Sequence, residues 1–149
     1  MKAMAVFLVA LGLLSAIGAS TGDARRGREV FKQTCTGCHT LDRAKVGPRL
    51  RNVYGRRAGK DSEFMYSDAM KAASVTWDDA TLDQWLTDTE SVIPGTDMSF
   101  GLNDASKRAD IIAYLKQLSA QSVRRGGHDQ IEATPPRRAR FAMDDWTGK

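Results

Sequence analysis

The chain has 149 residues, 42% hydrophobic and 27% charged, with a formal net charge of +4, the balance of a soluble globular protein. Its only cysteines are Cys35 and Cys38, too few by themselves for the four-ligand set of a structural zinc site, and its only histidines are His39 and His128. A disulfide between cysteines three positions apart would close too small a loop to constrain the unfolded chain much.

Residues 1–20 read as a secretory signal peptide. Lys2 supplies the positive start, Ala3 to Leu14 is apolar, and Ser15-Ala16-Ile17-Gly18-Ala19-Ser20 is a run of mostly small residues suited to cleavage. The apolar run is shorter than the roughly 20 residues of a spanning helix. The expected outcome is export to the periplasm with no stable membrane insertion, rather than an uncleaved anchor.

Residues 21–119 form the expected compact domain. A first helix is predicted from Asp23 as N-cap to the cysteines, with Gly27 and Phe31 on one face. Between Leu41 and Ala58, Gly47-Pro48, Gly55 and several arginines are loop chemistry. A second helix is predicted to start near Thr76, with Asp78 and Asp79 in its first turn and Leu82, Trp85 and Leu86 as its apolar stripe. The last is the most regular: Asn103 or Asp104 caps it, and Ile111, Tyr114, Leu115 and Leu118 share a face. No stretch alternates like a strand. Residues 120–149, with Arg124-Arg125-Gly126-Gly127 and Pro135-Pro136-Arg137-Arg138, read as a disordered basic tail. The expected class is all-α, with short helices and long loops. Such loops are unusual in a small domain unless something central holds them.

Cys35-Thr36-Gly37-Cys38-His39 supplies a candidate. The C-x-x-C-H spacing is that of covalent haem attachment. Two intervening residues let one helical turn carry both sulfurs to the two vinyl groups, and the histidine that follows falls under the ring. A thioredoxin-like dithiol would want a βαβ setting, which this pattern lacks; two buried cysteines beside a surface histidine is the remaining plain reading. For the iron's other face the residues leave several candidates. Met98 lies in Ile93-Pro94-Gly95-Thr96-Asp97-Met98-Ser99-Phe100, a rigid turn between predicted helices. A lone methionine is more often a core filler than a ligand. His128 sits in the polar tail, and Met65, Met70 and Met143 lack a comparable setting.

From about Gly22 to Ser119 the chain resembles the class I c-type cytochromes, the family of mitochondrial cytochrome c and short bacterial electron carriers. The resemblance rests on Gly27-Arg28-Glu29-Val30-Phe31, the haem motif, Val46-Gly47-Pro48-Arg49-Leu50, Tyr54-Gly55-Arg56, Tyr66-Ser67-Asp68-Ala69, Trp77, Pro94-Gly95-Thr96-Asp97-Met98 and Arg108 to Leu115, in the family's order. It implies a class I cytochrome c fold around one covalent haem c, with the first and last helices crossing. It implies attachment at Cys35 and Cys38, iron ligands His39 and Met98, a Pro48 carbonyl accepting from His39, and propionate contacts from Arg56, Tyr66 and Trp77. The implied role is a one-electron carrier, not an enzyme, shuttling between respiratory or photosynthetic redox proteins. These would dock transiently at an exposed haem edge on a monomer, and nucleic acid is no expected partner of an exported protein. A subunit accepting electrons from a periplasmic dehydrogenase is the alternative, or a haem enzyme or sensor if Met98 does not ligate.

Three features depart from the family. Trp85 stands where many members place a tyrosine that bonds the methionine sulfur, and an indole is donor only. Met70 stands where many have a water-holding asparagine, which implies a drier pocket. Where mitochondrial members carry lysines around the methionine loop, this chain has Asp88, Glu90, Asp97 and Asp104. Its cations gather in the N-terminal half, at Arg25, Arg26, Arg28, Lys32, Arg43, Lys45, Arg49, Arg51, Arg56, Arg57 and Lys60. A dipolar molecule that docks through a different patch is the functional reading of that asymmetry.

Overall fold

The computed structural model describes the backbone of residues 21–132 and the side chains of residues 21–124. The expected signal segment, residues 133–149 and the side chain of His128 lie outside the described residues.

Helix α1 is Ala24–Thr34, and the expected cap forms: Asp23 Oδ1 accepts from the Arg25 and Arg26 N–H groups at 2.8 and 2.9 Å. Its buried face is Gly27 and Phe31. Both meet the last helix, α5 (Ala105–Glu132), which packs against α1. A Cβ at position 27 would stand 1.8 Å from the Asp110 carbonyl oxygen, so only glycine lets the two backbones approach this closely. One turn on, the Phe31 and Tyr114 rings meet edge to face, with centroids 5.5 Å apart. Asp110 completes the joint. Its buried carboxylate accepts from the Asp23 N–H at 2.6 Å and from Arg26 Nε and Nη2 at 2.8 and 2.9 Å. The Arg26 bonds hold its carboxyl below the usual carboxylate range.

Three short helices lie between. α2 (Asp68–Ala72) is capped by Ser67. α3 (Asp79–Thr87) opens with a capping box between Asp78 and Thr81. α4 (Thr89–Val92) follows at once, Asp88 serving as C-cap of α3 and N-cap of α4. The helix expected near Thr76 therefore begins at Asp79, because Asp78 is spent on its cap and Thr81 Oγ1 ties back to the Thr76 carbonyl at 2.7 Å. Leu82, Trp85 and Leu86 are its buried stripe, as the pattern predicts. α3 packs on α5, where Arg108 Nε donates to Asp83 at 2.7 Å and Lys116 Nζ to Asp79 at 2.7 Å.

One expectation is corrected. The last helix does not stop at Ser119 but continues to Glu132, so a disordered tail beginning at 120 does not describe residues 120–132. Ala120 to Arg124 contains no helix breaker, and Gly126-Gly127 costs only about 1 kcal/mol per residue relative to alanine.

The loops are held by their own backbone. Gly47, Leu50 and Arg51 donate to the Cys38, Thr40 and Leu41 carbonyls at 2.9, 3.0 and 2.9 Å, folding residues 44–51 back over the haem motif. Gly55 and Ala58 donate to Trp77 and Val75, and Trp77 donates to Arg56. One isolated bridge between Arg57 and Thr76 is the strand-like pairing among the described residues. Gly55 turns at φ 84°, a left-handed conformation that favours glycine.

Candidate haem-binding site

α1 ends at the cysteines because its last turn runs into the motif: Cys35 is its C-cap, and the His39 N–H still reaches the Cys35 carbonyl at 2.9 Å. This extra turn sets both sulfurs and the imidazole along one short arc. Neither cysteine is in a disulfide; Cys35 is half-buried and Cys38 exposed. Burial pushes the Cys35 thiol up, so it stays protonated at neutral pH.

His39 is buried, and its ring is fixed from two sides. Nδ1 lies 2.8 Å from the Pro48 carbonyl oxygen. A carbonyl only accepts, so Nδ1 carries the proton and Nε2 keeps its lone pair. Gly47 lies flat against the ring: a Cβ there would stand 2.3 Å from His39 Cε1. Burial lowers the imidazole pKa, and the Pro48 bond opposes it only in part, so the ring is neutral.

These groups open on a cavity of about 440 Å³, the size of a cofactor site. All eight residues singled out from the sequence line it: Cys35, Cys38, His39, Pro48, Arg56, Tyr66, Trp77 and Met98. The remaining wall is largely apolar, with Phe31, Leu82, Leu86, Ile111 and Leu115 from three helices. Two thiols and an imidazole with a free lone pair, facing an apolar chamber that a methionine also enters, are a donor set that fits covalent haem. Among the other methionines, Met65 is 92% exposed and does not line the cavity. Met70, from α2, does line it. Trp85 packs against Trp77, ring centroids 5.2 Å apart.

Two residues of the site escaped the sequence reading. Asp61 is buried beside the cavity wall, where Arg49 Nε and Arg56 Nη1 both reach its Oδ2, at 2.9 and 3.0 Å. Thr89 is buried behind the methionine loop. Neither carries a local signal, since their partners are remote or on the backbone.

The basic N-terminal half is also less free than its sequence suggests. Arg26 is bonded to Asp110, Arg49 to Asp61 and Glu63, Arg51 to Asp42, and Arg56 to Asp61. Asp88, Glu90 and Asp97 around the methionine loop are exposed, while Asp104 pairs with Lys107.

A helical shell around one cavity, entered from a C-x-x-C-H turn, is the architecture of a c-type cytochrome. The cytochrome c family pattern matches residues 24–119. Cytochrome c2 of Rhodomicrobium vannielii is 45% identical over 120 residues, covering 77% of this chain and 95% of that protein. Cytochrome c of Cannabis sativa is 42% identical over 106 residues, covering 68% of this chain and 96% of that protein. Among solved structures, cytochrome cH from Methylobacterium extorquens superposes with a TM-score of 0.62 at 44% identity, covering 64% of this chain and 99% of that one. The chain belongs to the cytochrome c family: it carries one covalently attached haem c and is an electron carrier, not an enzyme. Among the described residues no helix is long and apolar enough to cross a membrane.

Proposed function

We propose that this protein is a periplasmic one-electron carrier whose haem is attached through Cys35 and Cys38 and whose iron is held between His39 and Met98. When bound, the haem supplies the one-electron couple. The observation that carries the reading is the convergence of both thiols, the oriented His39 ring and Met98 on one chamber. A His/Met pair favours a high potential relative to other haem ligations. His39 and Met98 would hold the iron in both redox states, so the chain would have little to rearrange when the charge changes.

The chain's own residues do the rest. The Pro48 carbonyl fixes the His39 tautomer and raises its basicity as a ligand. The apolar wall excludes water. Tyr66 and Trp77 stand at the cavity as donors for the haem carboxylates. Arg56 serves there too, but with two of its donors already given to Asp61 and to the Arg49 carbonyl. Met98 is preferred to Met70 because it lines the cavity from the Pro94-Gly95-Thr96-Asp97-Met98 loop that resembles the family's methionine-ligand loop. Met70 sits on a short helix in the core and matches a family position that is not a ligand.

The test is optical. The oxidised holoprotein should show the weak band near the red end of the visible spectrum that reports iron–methionine bonding. It should vanish in Met98→Ala and survive in Met70→Leu. Loss with Met70→Leu alone would assign the sulfur to Met70, and no band in the parent would leave the axial position open.

Exposed Asp88, Glu90 and Asp97 beside the methionine loop support docking, as a monomer, to redox partners with basic surfaces.

A further inference from the structure

Thr89 is a fully buried polar side chain, 1% exposed, on the first turn of α4. Its Oγ1 lies 2.6 Å from the Met98 carbonyl oxygen and 3.2 Å from the Phe100 nitrogen. A hydroxyl has one proton, so the short contact is its donation to Met98, and its lone pair accepts the Phe100 N–H. The Thr89 N–H in turn donates to the Phe100 carbonyl at 3.3 Å. The residue is itself immobilised. Asp88 caps α4 while ending α3, and the Thr89 carbonyl accepts from Ile93 at 3.1 Å. The other end of the loop is tied separately, by Gly95 N–H to Glu90 at 2.9 Å and Thr96 N–H to the Ile93 carbonyl at 3.2 Å. Thr89 therefore grips the backbone on both sides of Ser99, including the carbonyl of Met98 itself.

We propose that Thr89 is the positioning residue for Met98: it fixes the backbone from which the sulfur enters the cavity and so keeps a weak thioether ligand in place. The inference rests on the His39/Met98 ligation proposed above. A neutral thioether binds iron weakly, and its retention depends on how little order must be lost or gained when it lets go. Without the hydroxyl, the Met98 carbonyl and the Phe100 N–H lose their buried partner, and the attached state gives up what those bonds supplied.

The experiment uses full-length oxidised holoprotein and titrates imidazole, which competes for the methionine position. Thr89→Val keeps the shape and removes the hydroxyl; Thr89→Ser keeps the hydroxyl. Thr89→Val should bind imidazole roughly tenfold or more tightly than the parent, while Thr89→Ser should stay close to the parent. Should Thr89→Val not accumulate as holoprotein, Thr89→Ala is read in the same titration. Equal affinity in the parent and the hydroxyl-less variant overturns the proposal, as does a Thr89→Ser variant that binds as tightly as Thr89→Val. A parent whose red band and imidazole affinity are unchanged by Met98→Ala rejects the ligation reading instead, which separates the two failures.

Discussion

Arg56 sets its Nη1 3.0 Å from Oδ2 of Asp61, a carboxylate whose side chain is 1% exposed. Arg49 Nε reaches the same oxygen at 2.9 Å, and the Glu63 N–H donates to the other at 3.1 Å. The cavity wall is thus backed by a buried ion cluster. Burial pushes the Asp61 carboxyl up, but the Glu63 N–H and the two guanidiniums outweigh it and leave it below the usual carboxylate range.

Removing that charge leaves Arg56, only 20% exposed, without a carboxylate partner, while Arg49 keeps Glu63. Asp61→Asn should destabilise the folded protein by about 3 kcal/mol at pH 7, read by urea unfolding. The folded-state pKa is depressed, so ionised Asp61 contributes its stability above the ordinary carboxylate value and loses it as pH falls through the folded value. The gap between parent and variant should therefore narrow below about pH 4. A gap constant down to pH 2 would show that the charge is not its source. Losing a buried negative charge beside the cavity should also raise the reduction potential, since it favours the less positive iron.

Gly27 offers a test of the helix crossing. A methyl there would overlap the Asp110 carbonyl and come within 3.0 Å of Tyr114 Cβ. Backbone cannot yield as a side-chain tip can, so Gly27→Ala should cost about 3 kcal/mol despite alanine's better helix propensity. Thermal unfolding of the holoprotein decides it, and an unchanged midpoint would mean that α1 and α5 do not pack this closely in solution.

Gly47 tests how His39 is seated. Any Cβ at this position lies 2.7 Å from Nδ1 and 2.3 Å from Cε1, so the ring must turn away and give up the Pro48 bond. Gly47→Ala should lower the yield of holoprotein and shift its reduction potential, both measurable on purified material. Parent-like values for both would argue that the ring is not held from this side.

The charge distribution predicts a partner preference. Reversing Glu90 and Asp97 to lysine should slow electron exchange with a small cationic inorganic complex severalfold at low salt and speed it with an anionic one. Both effects should fade as ionic strength rises and the Debye length falls to about 8 Å near physiological salt. Stopped-flow rates at two salt concentrations would reveal it; identical rates for both reagents would remove the acidic patch from the docking account.

Much of this was legible in the chain because its signals are local. The haem motif, the Gly47-Pro48 pair and the Met98 loop each sit within a few residues, and the apolar stripe of α5 repeats at helical spacing. What stayed hidden depends on contacts made across the fold. Asp61 stands among Gly59, Lys60 and Ser62 and reads as surface loop until Arg49 and Arg56 close on it. Thr89 lies in a polar run, Thr87-Asp88-Thr89-Glu90, whose function as a double cap with a buried hydroxyl appears only when the loop folds back. The arginines of the first half looked like one positive face, and ion pairing divides them. The helix end was misplaced because composition alone makes arginine- and glycine-containing sequence look like a tail.

The ligand pair is the centre of the account, and X-ray absorption at the iron edge of the oxidised holoprotein addresses it most directly. The predicted result is five nitrogen neighbours and one sulfur at the iron, with the sulfur lost in Met98→Ala and retained in Met70→Leu. A parent spectrum with no sulfur neighbour, or one indifferent to Met98→Ala, would contradict the assignment of His39 and Met98.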